Sequence, residues 1–83
     1  MNNSAAKNVS AAAPVTLEGW YETEFGLDPV HETGDSLTAI ITRLHKHDPD
    51  NFGLTDCEFT YIGNGFEREI TAQVVATVER MIS

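Results

Sequence analysis

The chain is poor in cysteine and in positive charge. It has one cysteine, Cys57, and five lysine or arginine residues against thirteen aspartate and glutamate residues. A single cysteine excludes an internal disulfide framework and any zinc site built on cysteine pairs. The five cations (Lys7, Arg43, Lys46, Arg68 and Arg80) are scattered, and the formal net charge is −8. Binding to nucleic acid or to an anionic membrane depends on clustered basic side chains, so this balance argues against direct contact with either. No apolar run approaches membrane-spanning length. The N-terminal stretch also lacks the basic-then-apolar order of a signal peptide, and the expected location is cytoplasmic.

What is present fits an ordinary globular chain: 41% hydrophobic and 22% charged residues over 83 positions. That length makes one domain at most, with a core of a few kcal/mol, so a homodimer or a partner is compatible with it. Residues 1–13, small and polar with no apolar periodicity, read as a disordered tail, and residues 14–83 as a single domain.

Segment 15–25 has two readings. With period two, Val15, Leu17, Tyr21, Thr23 and Phe25 share one face, and Thr16, Glu18, Trp20, Glu22 and Glu24 share the other. As a helix, Leu17, Trp20, Tyr21 and Phe25 would also cluster. The β-branched and aromatic content and the central Gly19 favour a strand. Residues 26–34, broken by Pro29 and closed by Gly34, read as a connection. Asp35 then caps a helix whose Leu37, Ile40, Ile41 and Leu44 form one apolar stripe. His45, Lys46 and His47 occupy its last turn, and the Asp48-Pro49-Asp50-Asn51 run stops it.

Residues 56–62 alternate, with Cys57, Phe59 and Tyr61 on one side. The following Gly63-Asn64-Gly65 is a hairpin signal, and Phe66 to Ile70 would be the return strand. A last helix over 71–82 gathers Val74, Val75, Val78, Met81 and Ile82. The predicted fold is α+β in the order β-α-β-β-α, a three-stranded sheet covered on one face by two helices.

On that reading Trp20 lies among Glu18, Glu22 and Glu24 on the face turned away from the core. Tryptophan is a frequent interface anchor, and carboxylates around it steer a basic partner. These four residues are the expected contacts of a non-enzymatic module, a regulator or inhibitor that docks on a basic surface of a larger protein or nucleoprotein. The competing reading is a solvated sheet face with Trp20 folded over an edge.

A second pattern, Gly34-Asp35-Ser36-Leu37, resembles the signature of the acyl and peptidyl carrier proteins. Phe25-Gly26-Leu27-Asp28-Pro29-Val30 is similar to the end of a carrier's first helix, and Phe52-Gly53-Leu54 to the segment after its second. The resemblance implies an all-α four-helix bundle with 4′-phosphopantetheine attached to Ser36. The plainer account is that Asp and Ser open a helix because both cap well. Gly-Asp-Ser-Leu also occurs in a class of serine esterases, but the chain is too short for that α/β fold and its oxyanion hole. A fainter likeness, Arg43-Leu44 followed by Pro49-Asp50-Asn51 and a strand, resembles the small damage-inducible RecA-modulating proteins. It supports the same element order.

No metal site is expected. Asp48, Asp50 and Gly53 are spaced as in a calcium loop, but Phe52 and Phe59 fall where oxygen ligands are needed. His45 and His47 point to different sides of one helix. Cys57, in an apolar alternation, reads as core.

Overall fold

The structure is a computed structural model, and residues 13–83 are described in it. The expected tail, residues 1–13, lies outside them except for Ala13. The elements run β1 (Val15–Thr23), β2 (Gly26–Gly34), α1 (Leu37–His47), β3 (Cys57–Gly63), β4 (Phe66–Glu69) and α2 (Thr71–Ile82). The sheet has four strands in the order β2-β1-β3-β4, with every neighbouring pair antiparallel.

This corrects the expected three-stranded β-α-β-β-α arrangement, and it overturns the all-α four-helix alternative as well. The fold is α+β, but its order is β-β-α-β-β-α. The added strand, β2, is the segment read as a connection. Its Gly, Asp and Pro residues disfavour a strand locally, and of its nine residues only Val30 is buried. Continuous pairing with β1, from Val15 opposite Gly34 to Thr23 opposite Gly26, outweighs that local preference. Pro29 is tolerated because β2 is an edge strand. Its nitrogen faces away from β1, so no ladder hydrogen bond is lost.

The 15–25 strand ends at Thr23, and Glu24-Phe25 form the tight turn into β2. Phe25, expected on the core face, is instead 92% exposed at the tip of this hairpin. The second hairpin follows expectation. Asn64 and Gly65 have φ of 54° and 81°, the two left-handed positions a type I′ turn requires. Its return strand is one residue shorter than expected: the Ile70 N–H still donates to the Phe59 carbonyl at 2.9 Å, but the Phe59 N–H is taken by the Thr71 hydroxyl and the chain turns into α2.

β2 and β3 are both antiparallel to β1, so they run parallel to each other, and α1 forms the crossover between them. The residue that caps α1 is Ser36 rather than Asp35: its Oγ accepts the Ala39 N–H at 3.1 Å. The predicted stripe faces the sheet, with Ile40 and Ile41 fully buried and Leu37 and Leu44 packed beside them. From α2, Val74 and Val78 enter the core, whereas Met81 and Ile82 remain exposed.

Phe52, from the loop between α1 and β3, sits at the centre of this layer. It meets Tyr21 edge-on at 5.4 Å between ring centroids and Phe59 at 5.2 Å. The loop is fastened to the end of β1: the Thr55 hydroxyl donates to the Glu22 carbonyl at 2.7 Å, and the Glu22 N–H donates to the Asp56 carbonyl at 2.9 Å.

The Tyr21 hydroxyl lies 3.1 Å from both Asp28 Oδ2 and Asp48 Oδ2, and it donates its single proton to one of them at a time. Burial, and then the hydrogen bonds to the two carboxylates, push its ionisation well above the ordinary phenol value. The folded state thus holds this proton more tightly than the unfolded chain does. The stability it contributes is present below the unfolded value near 10.0 and is lost as pH rises through the higher folded value. Tyr21→Phe is expected to cost about 1–2 kcal/mol at neutral pH. It should also remove one component of the alkaline loss of stability. Urea midpoints of both proteins measured from neutral to strongly alkaline pH check this, and parallel profiles would contradict it.

Candidate functional site

The helices and the core occupy one face of the sheet. The opposite face is built from alternate residues whose register follows from the strand pairing. β1 contributes Thr16, Glu18, Trp20 and Glu22, and opposite them on β2 stand Thr33, His31, Pro29 and Leu27. On the other flank, Glu58, Thr60 and Ile62 of β3 stand opposite Trp20, Glu18 and Thr16. β4 adds Glu67 and Glu69 beside Ile62 and Thr60.

Trp20 is therefore on a central strand, between Pro29 and Glu58, and is half-buried. Gly19 allows this arrangement. A Cβ at that position would overlap the Glu58 carbonyl oxygen and come within 2.9 Å of the Phe59 ring. β1 and β3 can approach as they do only because residue 19 has no side chain.

Of the four residues expected as partner contacts, Glu18, Trp20 and Glu22 share this face. Glu24 does not, because it lies in the β1–β2 turn next to the exposed Phe25. Glu18 accepts a hydrogen bond from His31 Nδ1 at 2.8 Å, with both side chains substantially exposed. Three further acids, Glu58, Glu67 and Glu69, had not been assigned to the site. The signal for Glu58 was available, since it is the residue between Cys57 and Phe59 in a strict alternation. What the sequence did not contain was the pairing of β3 against β1.

Among the described residues, the face therefore carries five glutamates by register, with the Glu69 carboxylate turned to accept the Thr71 N–H at 3.2 Å, and no lysine or arginine. The described cations all lie on the other side of the molecule: Arg43 and Lys46 on α1, Arg80 on α2, and Arg68 at a helix-side register of β4. The single bulk number of −8 becomes, in three dimensions, a separation of charge across the sheet. Among the described residues, Leu27, at 62% exposure, and the tip residue Phe25 are the most exposed large apolar side chains. Both belong to the β1–β2 hairpin, and Leu27 borders this face.

Ser36, the expected attachment point of the carrier resemblance, is an exposed N-cap residue with its Oγ engaged by Ala39. Capping accounts for the Asp-Ser-Leu pattern, and the helical surroundings the resemblance implied are replaced by a hairpin on either side of α1. Cys57 is half-buried, and burial followed by the nearby Asp56 charge pushes its thiol up, which suppresses the reactive thiolate. Among the described residues, no three His, Cys, Asp or Glu side chains gather as metal ligands would. No described helix is long and apolar enough to cross a membrane. No protein-family model, curated protein or solved structure matches the chain.

Proposed function

We propose that the chain is a non-enzymatic protein-binding module, a small regulator or inhibitor whose uncovered sheet face docks on a basic surface of a larger protein or nucleoprotein. The observation that carries this reading is the placement of Trp20 at the middle of a face that, among the described residues, has five glutamates by register and no lysine or arginine. A central aromatic surrounded by like charges matches the anatomy of a steered interface. The ring supplies desolvation energy, and the charges set encounter rate and partner choice. Pro29, opposite Trp20, and the diagonal Leu27 extend the apolar surface beside the ring. His31 acts as a local counter-charge when protonated, holding Glu18 in place.

The test is capture from cell extract followed by titration of the captured protein with purified variants. Trp20→Ala should weaken binding about tenfold or more while the circular dichroism spectrum stays that of the parent. Glu18→Lys combined with Glu22→Lys should slow association and flatten its dependence on salt. Loss of the fold in Trp20→Ala would assign the ring a core role and end this reading. Unchanged affinity in both variants would end it equally.

A further inference from the structure

On the helix side, away from the acidic face, a cavity of about 170 Å³ opens between the starts of α1 and α2 and strand β4. Its walls are Leu37, Tyr61, Phe66, Arg68, Ile70 and Gln73. Phe66, with 45% of its surface exposed, leans on Tyr61 at 5.7 Å between ring centroids. The Arg68 guanidinium stands over the Phe66 ring, 5.8 Å from its centroid. Arg68 makes no ion pair among the described residues, in a chain where acids outnumber lysines and arginines by thirteen to five. Its sequence neighbour Glu67 belongs to the other face of the sheet by register, the Glu69 carboxylate is engaged by the Thr71 N–H at the start of α2 at 3.2 Å, and no carboxylate lines the cavity.

We infer that this cavity is a binding site for a small apolar carboxylate. The hydrocarbon part lies between Leu37, Ile70 and the two rings, and the carboxylate is held by Arg68 with Gln73 as a further donor. The volume is that of a single-ring site, since an enclosed cavity of about 150 Å³ takes up benzene, although this one is open to solvent on one side. The chemistry fits as well. An arginine presents a planar fork to a carboxylate, and the Phe66 ring 5.8 Å from the guanidinium adds a cation–π contact on its other side. The chain's net negative charge opposes any anion, but the acidic face lies across the sheet. The site and the acidic face are independent, so either can fail without the other.

The probes are 3-phenylpropionate and its neutral counterpart 3-phenylpropan-1-ol, titrated into the ¹⁵N-labelled full chain and followed by amide chemical shifts. Saturable changes at Leu37, Tyr61, Phe66, Arg68, Ile70 and Gln73 are expected in the range of about 1–10 mM for the carboxylate. The alcohol should bind about fivefold more weakly, and Arg68→Gln should erase that difference. Arg68 is exposed, so this variant keeps the fold. Phe66→Ala, which removes the apolar wall, should weaken both probes. The assignment is overturned by the absence of saturable shifts, by shifts spread over the acidic face, by equal affinity for the two probes, or by a preference that survives Arg68→Gln.

Discussion

Phe52→Ala is expected to leave the chain unfolded, or only partly folded, at ambient temperature. Phe52 has no exposed surface and is one of the two largest fully buried side chains. It bridges Tyr21 of β1 and Phe59 of β3 through ring contacts at 5.4 and 5.2 Å. Truncating a buried phenylalanine costs about 3–5 kcal/mol, from lost transfer energy and the cavity left behind. A single core of this size supplies about the same total. The loop carrying Phe52 has no regular ladder of its own and is held by Thr55, Glu22, Asp48 and Asn51, so little else would keep the cavity closed. Phe52→Leu, which preserves more of the volume, should cost markedly less and retain a cooperative transition. Urea denaturation followed by circular dichroism distinguishes the two. A Phe52→Ala protein with a parental midpoint would show that the three-ring cluster is not the centre of the core.

Gly19→Ala is expected to cost about 3 kcal/mol or more, although it adds a single methyl group. Gly19 has φ of +156°, and the added Cβ would meet the Glu58 carbonyl group and the Phe59 ring. Backbone atoms of a paired central strand cannot move aside as the end of a flexible side chain can, so β1 and β3 would have to separate. Gly65→Ala is the control. Gly65 also has positive φ, at +81°, but nothing lies within 4 Å of its would-be Cβ, which leaves only a backbone cost of about 1–2 kcal/mol. Comparing the two in urea separates steric overlap from backbone preference, and equal losses would refute the close-approach account. Because Gly19 lies between Glu18 and Trp20, a surviving Gly19→Ala protein should also have a displaced Trp20 with altered fluorescence. The constraint that closes the sheet is the same one that sets the ring beside Glu58.

The elements that were legible in the sequence are those governed by neighbours a few residues apart. The apolar stripe of α1 and the left-handed Asn64-Gly65 pair are signals of this kind. The alternation that turns Trp20 away from Leu17 and Tyr21 left a helical reading open, and pairing with β2 and β3 makes Val15–Thr23 a strand. β2 was not legible because Gly26, Asp28, Pro29 and Gly34 outweigh the β-branched Val30 and Thr33 within 26–34. It exists through its partner, and Pro29 survives in it only because the outer side of that strand has no further neighbour. Glu24 is off the Trp20 face for a related reason: the alternation stops at Thr23, where the chain turns. Ser36 shows the opposite case, a pattern that looks like chemistry and is explained by one hydrogen bond at a helix start.

Besides the acidity, the sequence by itself determined the hairpin at Asn64-Gly65 and the apolar stripe of α1. Each of these follows from local backbone sterics and from side-chain periods of two or 3.6. Only the tertiary structure decided that β1 lies between β2 and β3. That order brings Glu58, Glu67 and Glu69 onto the same face as Trp20 and leaves every described lysine and arginine on the helix side. Strand order and register across such separations are set by how Phe52, Phe59 and the two helices fill one core, and by the close approach at Gly19. Neither can be read from any short window of the chain.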